Sequence, residues 1–234
     1  MIQWIFPVRC LVCNQIVVPK GVILHKNCME KLEFITEPLC KKCGVPLPLE
    51  EQEYCEQCMV EDRGWDYGRS VFCYRGAVQK ALHQVKQEGT REFVQFFALQ
   101  MRRIQKEYIK EVMPDCLVPV PLHFSKLKKR GFNQAELLAR ELGKELQLSV
   151  RLLLKKKQKT KDQKNLDRKE RKKNVTNVFC INRIEIKKGI PKSVLLIDDV
   201  STTGSTLTEC AKVLKKQGVQ NVAFLSVCAG EQLG

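Results

Sequence analysis

Two neighbouring acids, Asp198 and Asp199, close the apolar run Val194 to Ile197. A string of hydroxyls follows: Ser201, Thr202 and Thr203, then Ser205 and Thr206 beyond Gly204. A pair of carboxylates suits the vicinal hydroxyls of a ribose, or a hydrated Mg²⁺ that also touches phosphate. A hydroxyl-rich turn opening a helix points backbone N–H groups outward, and such a nest attracts phosphate. Acids for a sugar and a nest for its phosphate, in this order, predict a phosphosugar site. The plainer alternative is an ordinary strand-to-helix turn with Asp and Thr acting only as caps. It accounts for each residue singly but not for their order.

A second group of residues has the spacing of metal ligands. Cys10, Cys13, His25 and Cys28 give C-x2-C-x11-H-x2-C, and Cys40, Cys43, Cys55 and Cys58 give C-x2-C-x11-C-x2-C. Every member of the second set lies 30 positions after its counterpart, as Cys40 does after Cys10. A closed set of four Cys or His ligands makes a structural tetrahedral zinc site and leaves no open position for catalysis. Neither half can build a core of its own, so metal binding supplies much of its folding free energy. His25 follows Val22-Ile23-Leu24 and has a second reading, a polar residue at a strand end, so the count is one zinc or two. The first residues lack the basic-then-apolar pattern of a signal peptide, and no apolar run approaches the ~20 residues of a membrane span. Twelve cysteines are therefore read in a reducing cytoplasm, where paired C-x-x-C spacings point to metal. Cys73, Cys116, Cys180, Cys210 and Cys228 stand singly among apolar residues and read as core.

These groups need a scaffold to hold them. Val194 to Ile197 is short and apolar on both faces, as a central parallel strand is. Thr202 to Thr206 then turn into a helix from Ser205 to about Gln217, which Gly218 ends. Upstream, Val71 to Tyr74 reads as a strand, followed by a turn at Arg75-Gly76 and a helix with Ala81, Leu82 and Val85 on one face, closed by Lys86 before Gly89. Phe93 to Val112 has helical spacing with Phe93, Phe96, Phe97, Met101 and Ile104 as a core stripe. A further short strand from Cys116 meets prolines that force it out of the sheet. A basic loop of Lys126, Lys128, Lys129 and Arg130 then leads to Gly131, and Asn133 caps a helix carrying Leu137, Leu138 and Leu142. Opposite the acid pair, that loop suits a pyrophosphate. Val222 to Cys228 supplies a last buried strand. The expected architecture is α/β with a parallel sheet over residues 65–234, preceded by a duplicated zinc-ribbon module over residues 1–64.

The strand, the acid pair and T-T-G-S-T resemble the 5-phosphoribosyl 1-pyrophosphate (PRPP) motif of type I phosphoribosyltransferases. Val118-Pro-Val-Pro-Leu-His123 and Lys128-Lys-Arg-Gly-Phe-Asn-Gln-Ala-Glu-Leu-Leu-Ala139 resemble the signature of the ComF family. That family joins an N-terminal zinc ribbon to a C-terminal phosphoribosyltransferase domain, so the resemblance covers nearly the whole chain; His25 departs from its all-cysteine pattern. It implies that Asp198 and Asp199 are the catalytic pair and hold the ribose hydroxyls. Ser201, Thr202, Thr203, Gly204, Ser205 and Thr206 would take the 5′-phosphate, and Lys128, Lys129 and Arg130 the pyrophosphate, with Mg²⁺ bound alongside PRPP. It also implies DNA uptake in natural transformation, single-stranded DNA as a ligand, the helicase-like ComFA and DprA as partners, and a place in the cytoplasm, peripheral to the inner face of the membrane through those partners.

A formal net charge of +15 points to anionic partners. Between Arg151 and Lys173, twelve Lys or Arg residues face only Asp162, Asp167 and Glu170. So charged a stretch reads first as a solvated loop. Thr160, Gln163, Leu166, Arg171 and Asn174-Val175 match the ComF pattern, which implies a loop closing over PRPP. The same charges suit a nucleic-acid backbone, with Tyr74, Phe124 and Phe132 as candidate stacking residues. Three functions stay open: a phosphoribosyltransferase acting on an unidentified nitrogenous acceptor, a PRPP-binding protein that handles single-stranded DNA, and a regulator that senses PRPP.

Overall fold

The computed structural model describes residues 9–17, 22–88, 91–157 and 177–230. In chain order these form α1 (Lys26–Met29), α2 (Glu56–Val60), β1 (Tyr67–Cys73), α3 (Gly76–Glu88), α4 (Arg91–Ile104), α5 (Lys106–Val112), β2 (Cys116–Pro119), α6 (Phe124–Arg130) and α7 (Gln134–Leu146). Then follow β3 (Leu154–Lys156), β4 (Phe179–Ile181), α8 (Arg183–Ile186), β5 (Ser193–Ser201), α9 (Ser205–Lys215) and β6 (Asn221–Ala229).

The strands expected from apolar runs pair as one parallel sheet in the order β1-β6-β5-β2. Val194 to Ile197 are fully buried, as a strand covered on both faces must be. β5 runs further than its apolar stretch suggests, carrying Asp198 and Asp199 within the strand. Its pairing with β6 continues to Ser201↔Ala229, while its pairing with β2 stops at Ile197↔Pro119. Pro121 has no N–H with which to prolong that ladder. From Asp198 onward β5 has therefore lost one neighbour, which opens a crevice at the carboxyl end of the sheet, where ligands bind in folds of this class.

Two local expectations need correction. The basic stretch Lys126 to Arg130 is a helix, α6, rather than a loop. The imidazole of His123 accepts the Ser125 N–H (3.1 Å) at its start, and Gly131, at φ +85°, ends it. Lys, Leu and Arg are good helix formers once both ends are capped. The segment Phe93 to Val112 is two helices, broken at Gln105, whose buried side chain donates to the Ser70 carbonyl (3.1 Å). The break leaves Ile104 43% exposed, off the core stripe, and brings Tyr108 in to donate to the Phe224 carbonyl (3.0 Å).

The N-terminal module docks on the outer edge of the sheet. Ile35 N–H donates to the Val71 carbonyl and Cys73 N–H to the Glu33 carbonyl (2.9 Å each), adding an antiparallel bridge to β1. The charged segment leaves and returns through β3 and β4, which pair antiparallel from Leu154↔Ile181 to Lys156↔Phe179. Residues 158–176, with Thr160, Gln163, Leu166, Arg171 and Asn174-Val175, lie outside the described residues. Among the described residues no helix is long and apolar enough to cross a membrane.

Candidate functional site

The 30-residue repeat is as exact in the backbone as in the ligands. The bridge Arg9↔Ile16 recurs as Leu39↔Pro46. The bond from Cys10 N–H to the Gln15 carbonyl (2.8 Å) recurs from Cys40 to Val45 (2.9 Å). Each knuckle turns through a left-handed residue, Asn14 at φ +61° and Gly44 at φ +68°. His25 and Cys55 stand at matching N-caps of α1 and α2. In each half the four ligand atoms lie within 4.8 Å of one another.

Sequence alone leaves His25 in question, and its hydrogen bonds answer. Nε2 lies 3.2 Å from the Ile16 carbonyl, an oxygen that only accepts, so Nε2 carries the proton. Nδ1 then presents its lone pair 3.4 Å from Cys13 Sγ, among the other ligand atoms, as a metal-bound imidazole does. Residues 22–24 form no strand. Burial disfavours the Cys10 thiolate, yet N–H groups of Cys13, His25 and Val12 bring its pKa down to about 6. In the second site Cys55 N–H donates to Cys40 Sγ (3.3 Å). Both donor sets fit structural zinc.

At the open end of β5, Asp199 N–H donates to Asp198 Oδ1 (2.9 Å), and Lys86 Nζ lies 2.6 Å from Asp199 Oδ2. Burial and the neighbouring Asp199 charge push the Asp198 carboxyl well above the usual carboxylate range. Burial also opposes ionisation of Asp199, but Lys86, with help from Arg130, outweighs it and holds that carboxyl below its usual value. Of the two, Asp198 is therefore the carboxyl that keeps its proton to higher pH and Asp199 the one that ionises first. The linkage has a definite sign. Asp198's folded pKa lies above its unfolded value of about 3.9, so it stabilises the fold only in acid, and that contribution is lost as pH rises through the folded pKa. Asp198→Asn should therefore raise the thermal midpoint of the ligand-free chain at neutral pH. A shift of about 2–4 °C corresponds to ~1 kcal/mol in a domain of this size, and it should vanish near pH 4.

Of the three basic residues expected at the site, only Arg130 acts on the acid pair. It is half-buried, and its guanidinium donates to Gln134 Oε1 (2.6 Å). Lys128 and Lys129 stand exposed on α6. Two further cations, Lys86 and Lys156, lie near the acid pair. Burial, then the nearby Lys126 charge, lower the Lys156 pKa, and its ammonium sits 5.3 Å from the Phe179 ring centroid. Lys86 had a signal in the sequence: it lies four residues after the buried Leu82, hence on the buried face of α3. Among the aromatic candidates, Phe124 is exposed, while Tyr74 and Phe132 are half-buried.

The hydroxyl turn follows directly. Ser201, Thr202, Thr203, Ser205 and Thr206 are all half-buried and so within reach of solvent. Thr203 Oγ1 and Ser205 Oγ share a hydrogen bond of 2.8 Å. Gly204, at φ +70°, begins α9, and a Cβ there would lie 2.7 Å from the guanidinium of Arg63, which donates to the Thr203 carbonyl. Acid pair, flanking cations and turn line one edge of the crevice beyond Ile197.

Residues 1–59 match the double zinc ribbon domain and residues 121–233 the phosphoribosyl transferase domain. The chain is 29% identical to Competence protein F of Haemophilus influenzae over 225 residues, 93% of this chain and 95% of that protein. It is 30% identical to Competence protein ComFC of Streptococcus pneumoniae over 236 residues, 94% of this chain and 99% of that one. It is also 30% identical to DNA utilization protein YhgH of Salmonella typhi over 205 residues, 81% and 83% of the two chains.

Proposed function

The chain belongs to the ComF family of competence proteins, and from that premise we propose that it binds Mg·PRPP beyond the end of β5 and serves DNA uptake in natural transformation by handling single-stranded DNA. One observation carries the sugar-phosphate part: two adjacent carboxyls, one of them ion-paired to Lys86, share the open end of a strand with Arg130 and a hydroxyl turn. In this reading Asp198 and Asp199 hold the ribose hydroxyls, and Ser201 to Thr206 cradle the 5′-phosphate at the start of α9. Lys86 and Arg130 neutralise the pyrophosphate side, with Lys128 and Lys129 extending the positive surface along α6. Mg²⁺ would supply charge neutralisation between the pyrophosphate and the acids. Residues 1–64 act as the zinc module and residues 65–234 as the phosphoribosyltransferase-like unit. The names of the relatives motivate the DNA role. ComFA and DprA are the partners it suggests, at the cytoplasmic face of the membrane.

The split proton affinities favour a second reading. An ionised Asp199 beside C1 would offset positive charge as the bond to pyrophosphate breaks and an acceptor nitrogen attacks. Pyrophosphate would leave with Mg²⁺, and nothing among these residues identifies the acceptor.

Calorimetry with Mg·PRPP and with single-stranded DNA, each with and without the other, tests the proposal. Both should bind the zinc-loaded chain, the DNA with strong salt dependence. Competition would mean a shared site and independence separate sites. Absence of Mg·PRPP binding would overturn the sugar-phosphate reading.

A further inference from the structure

The second zinc module differs from the first in what lies just beyond its ligands. Arg63 follows Cys58, and its side chain is 5% exposed. Nη1 donates to the Thr203 carbonyl, 140 residues away in the chain, and Nη2 donates to Gln57 Oε1 (2.5 Å). Nε faces Glu61 Oε2 at 3.7 Å, and the guanidinium carbon lies 5.9 Å from the Trp65 ring centroid. Gln57 sits on α2 between the ligands Cys55 and Cys58. One buried fork thus joins the ligand helix of the second metal site to the hydroxyl turn.

We propose that Arg63 is a positioning residue that couples the second zinc site to the phosphate-binding turn, so that metal at one steadies the other. The inference rests on the reading of Thr202 to Thr206 as an anion site. α2 has five residues, too few to hold a helix unaided. Without the metal that bridges Cys55 and Cys58, Gln57 and Glu61 no longer hold the guanidinium. A charged group so deeply buried does not remain without partners. Its departure strips the Thr203 carbonyl of its donor and uncovers Gly204, whose left-handed turn starts α9. Coupling between two sites is reciprocal, so an anion in the turn must raise the affinity of the second site for zinc.

The repeat supplies an internal control. Thirty positions before Arg63 stands Glu33, which pairs with Arg75 on the surface, and thirty before Gln57 stands Asn27. Among the described residues the first site has no such link to the turn, and its zinc should be indifferent to the anion.

Two measurements on the full, zinc-loaded chain test this. Hydrogen exchange of residues 202–208 includes the Thr208 N–H bonded to the Gly204 carbonyl. It should quicken about tenfold or more in Arg63→Met, as it should in the wild-type chain after the second zinc is removed, with residues 10–17 unchanged. Equilibrium competition with a chromogenic zinc chelator should show one of the two sites tightened about 5- to 150-fold by saturating Mg·PRPP, the range usual for coupled sites. That site is the one remaining in Cys10→Ser. Arg63→Met should abolish this tightening, and Arg63→Lys, which keeps the charge but not the fork, should not restore it. Unchanged exchange at 202–208 in Arg63→Met overturns the coupling, even if Mg·PRPP binds. Quickened exchange in a chain that never binds Mg·PRPP supports the coupling and removes the sugar-phosphate reading instead.

Discussion

Cys40→Ser should leave the chain with one zinc where the wild type holds two, and should unfold the second module while the sheet persists. Cys40, Cys43 and Cys55 are themselves core residues, packed with Ile35, Val45, Leu47 and Trp65. Little other apolar surface lies within the module, so the metal takes the place of a core. Structural zinc contributes roughly 10–16 kcal/mol in small zinc-binding peptides. That is as large as the whole stability of a domain, about 5–15 kcal/mol, so losing one of four ligands cannot be absorbed locally. Cys40 also receives the Cys55 N–H, so the substitution removes a ligand and disturbs the turn that presents another. Metal analysis reads the stoichiometry. Protease cleavage confined to residues 36–62 reads the local unfolding. Two zincs retained with an unaltered cleavage pattern would show that the four thiols are not one site. The outer edge of β1 should fray with the module, because Glu33 and Ile35 make hydrogen bonds to that strand.

The metal modules could be read from the sequence because ligand spacing is local chemistry. The offset of 30 positions that relates Cys10 to Cys40 also relates the backbone bonds from Cys10 to Gln15 and from Cys40 to Val45. The strand before the acid pair was legible for a similar reason, since a run buried on both faces must be apolar throughout. Which groups surround the acids was not, although helical spacing does put Lys86 on the buried face of α3. Lys86 reaches Asp199 only because α3 packs against the sheet, and Arg63 reaches Thr203 only because the zinc module docks beside α9. Pairings across so much chain leave no periodicity behind. Lys126 to Arg130 departs from expectation for another reason: charge suggests a loop, while the caps at His123 and Gly131, one of them an imidazole, make a helix. Lys128 and Lys129 consequently face solvent and Arg130 turns inward.

Asp198→Asn with Asp199→Asn should abolish Mg·PRPP binding, weakening it by about 10²–10⁴-fold. Each hydrogen bond to a charged acceptor contributes about 1.5–3 kcal/mol, and a factor of ten is 1.4 kcal/mol, so two lost bonds give that range. Asparagine keeps the shape, so the loss must come from charge and acceptor capacity. Unlike the single change at 198, the double change also strands Lys86, which is half-buried and loses the carboxylate of its ion pair. The thermal midpoint should therefore rise in Asp198→Asn and fall in the double variant, and Lys86→Met added to the double variant should recover part of the fall without restoring binding. That last comparison separates a lost site from a damaged fold. The pH dependence gives a further check with a fixed sign. A ligand that requires both carboxylates ionised must expel the proton held on Asp198, so wild-type affinity should climb with pH until the raised pKa is passed. In Asp198→Asn the climb should disappear, since Asp199 is already ionised across that range. Wild-type affinity in the double variant would put the sugar elsewhere, because no other pair of carboxylates lies within β5 or the turn that follows it.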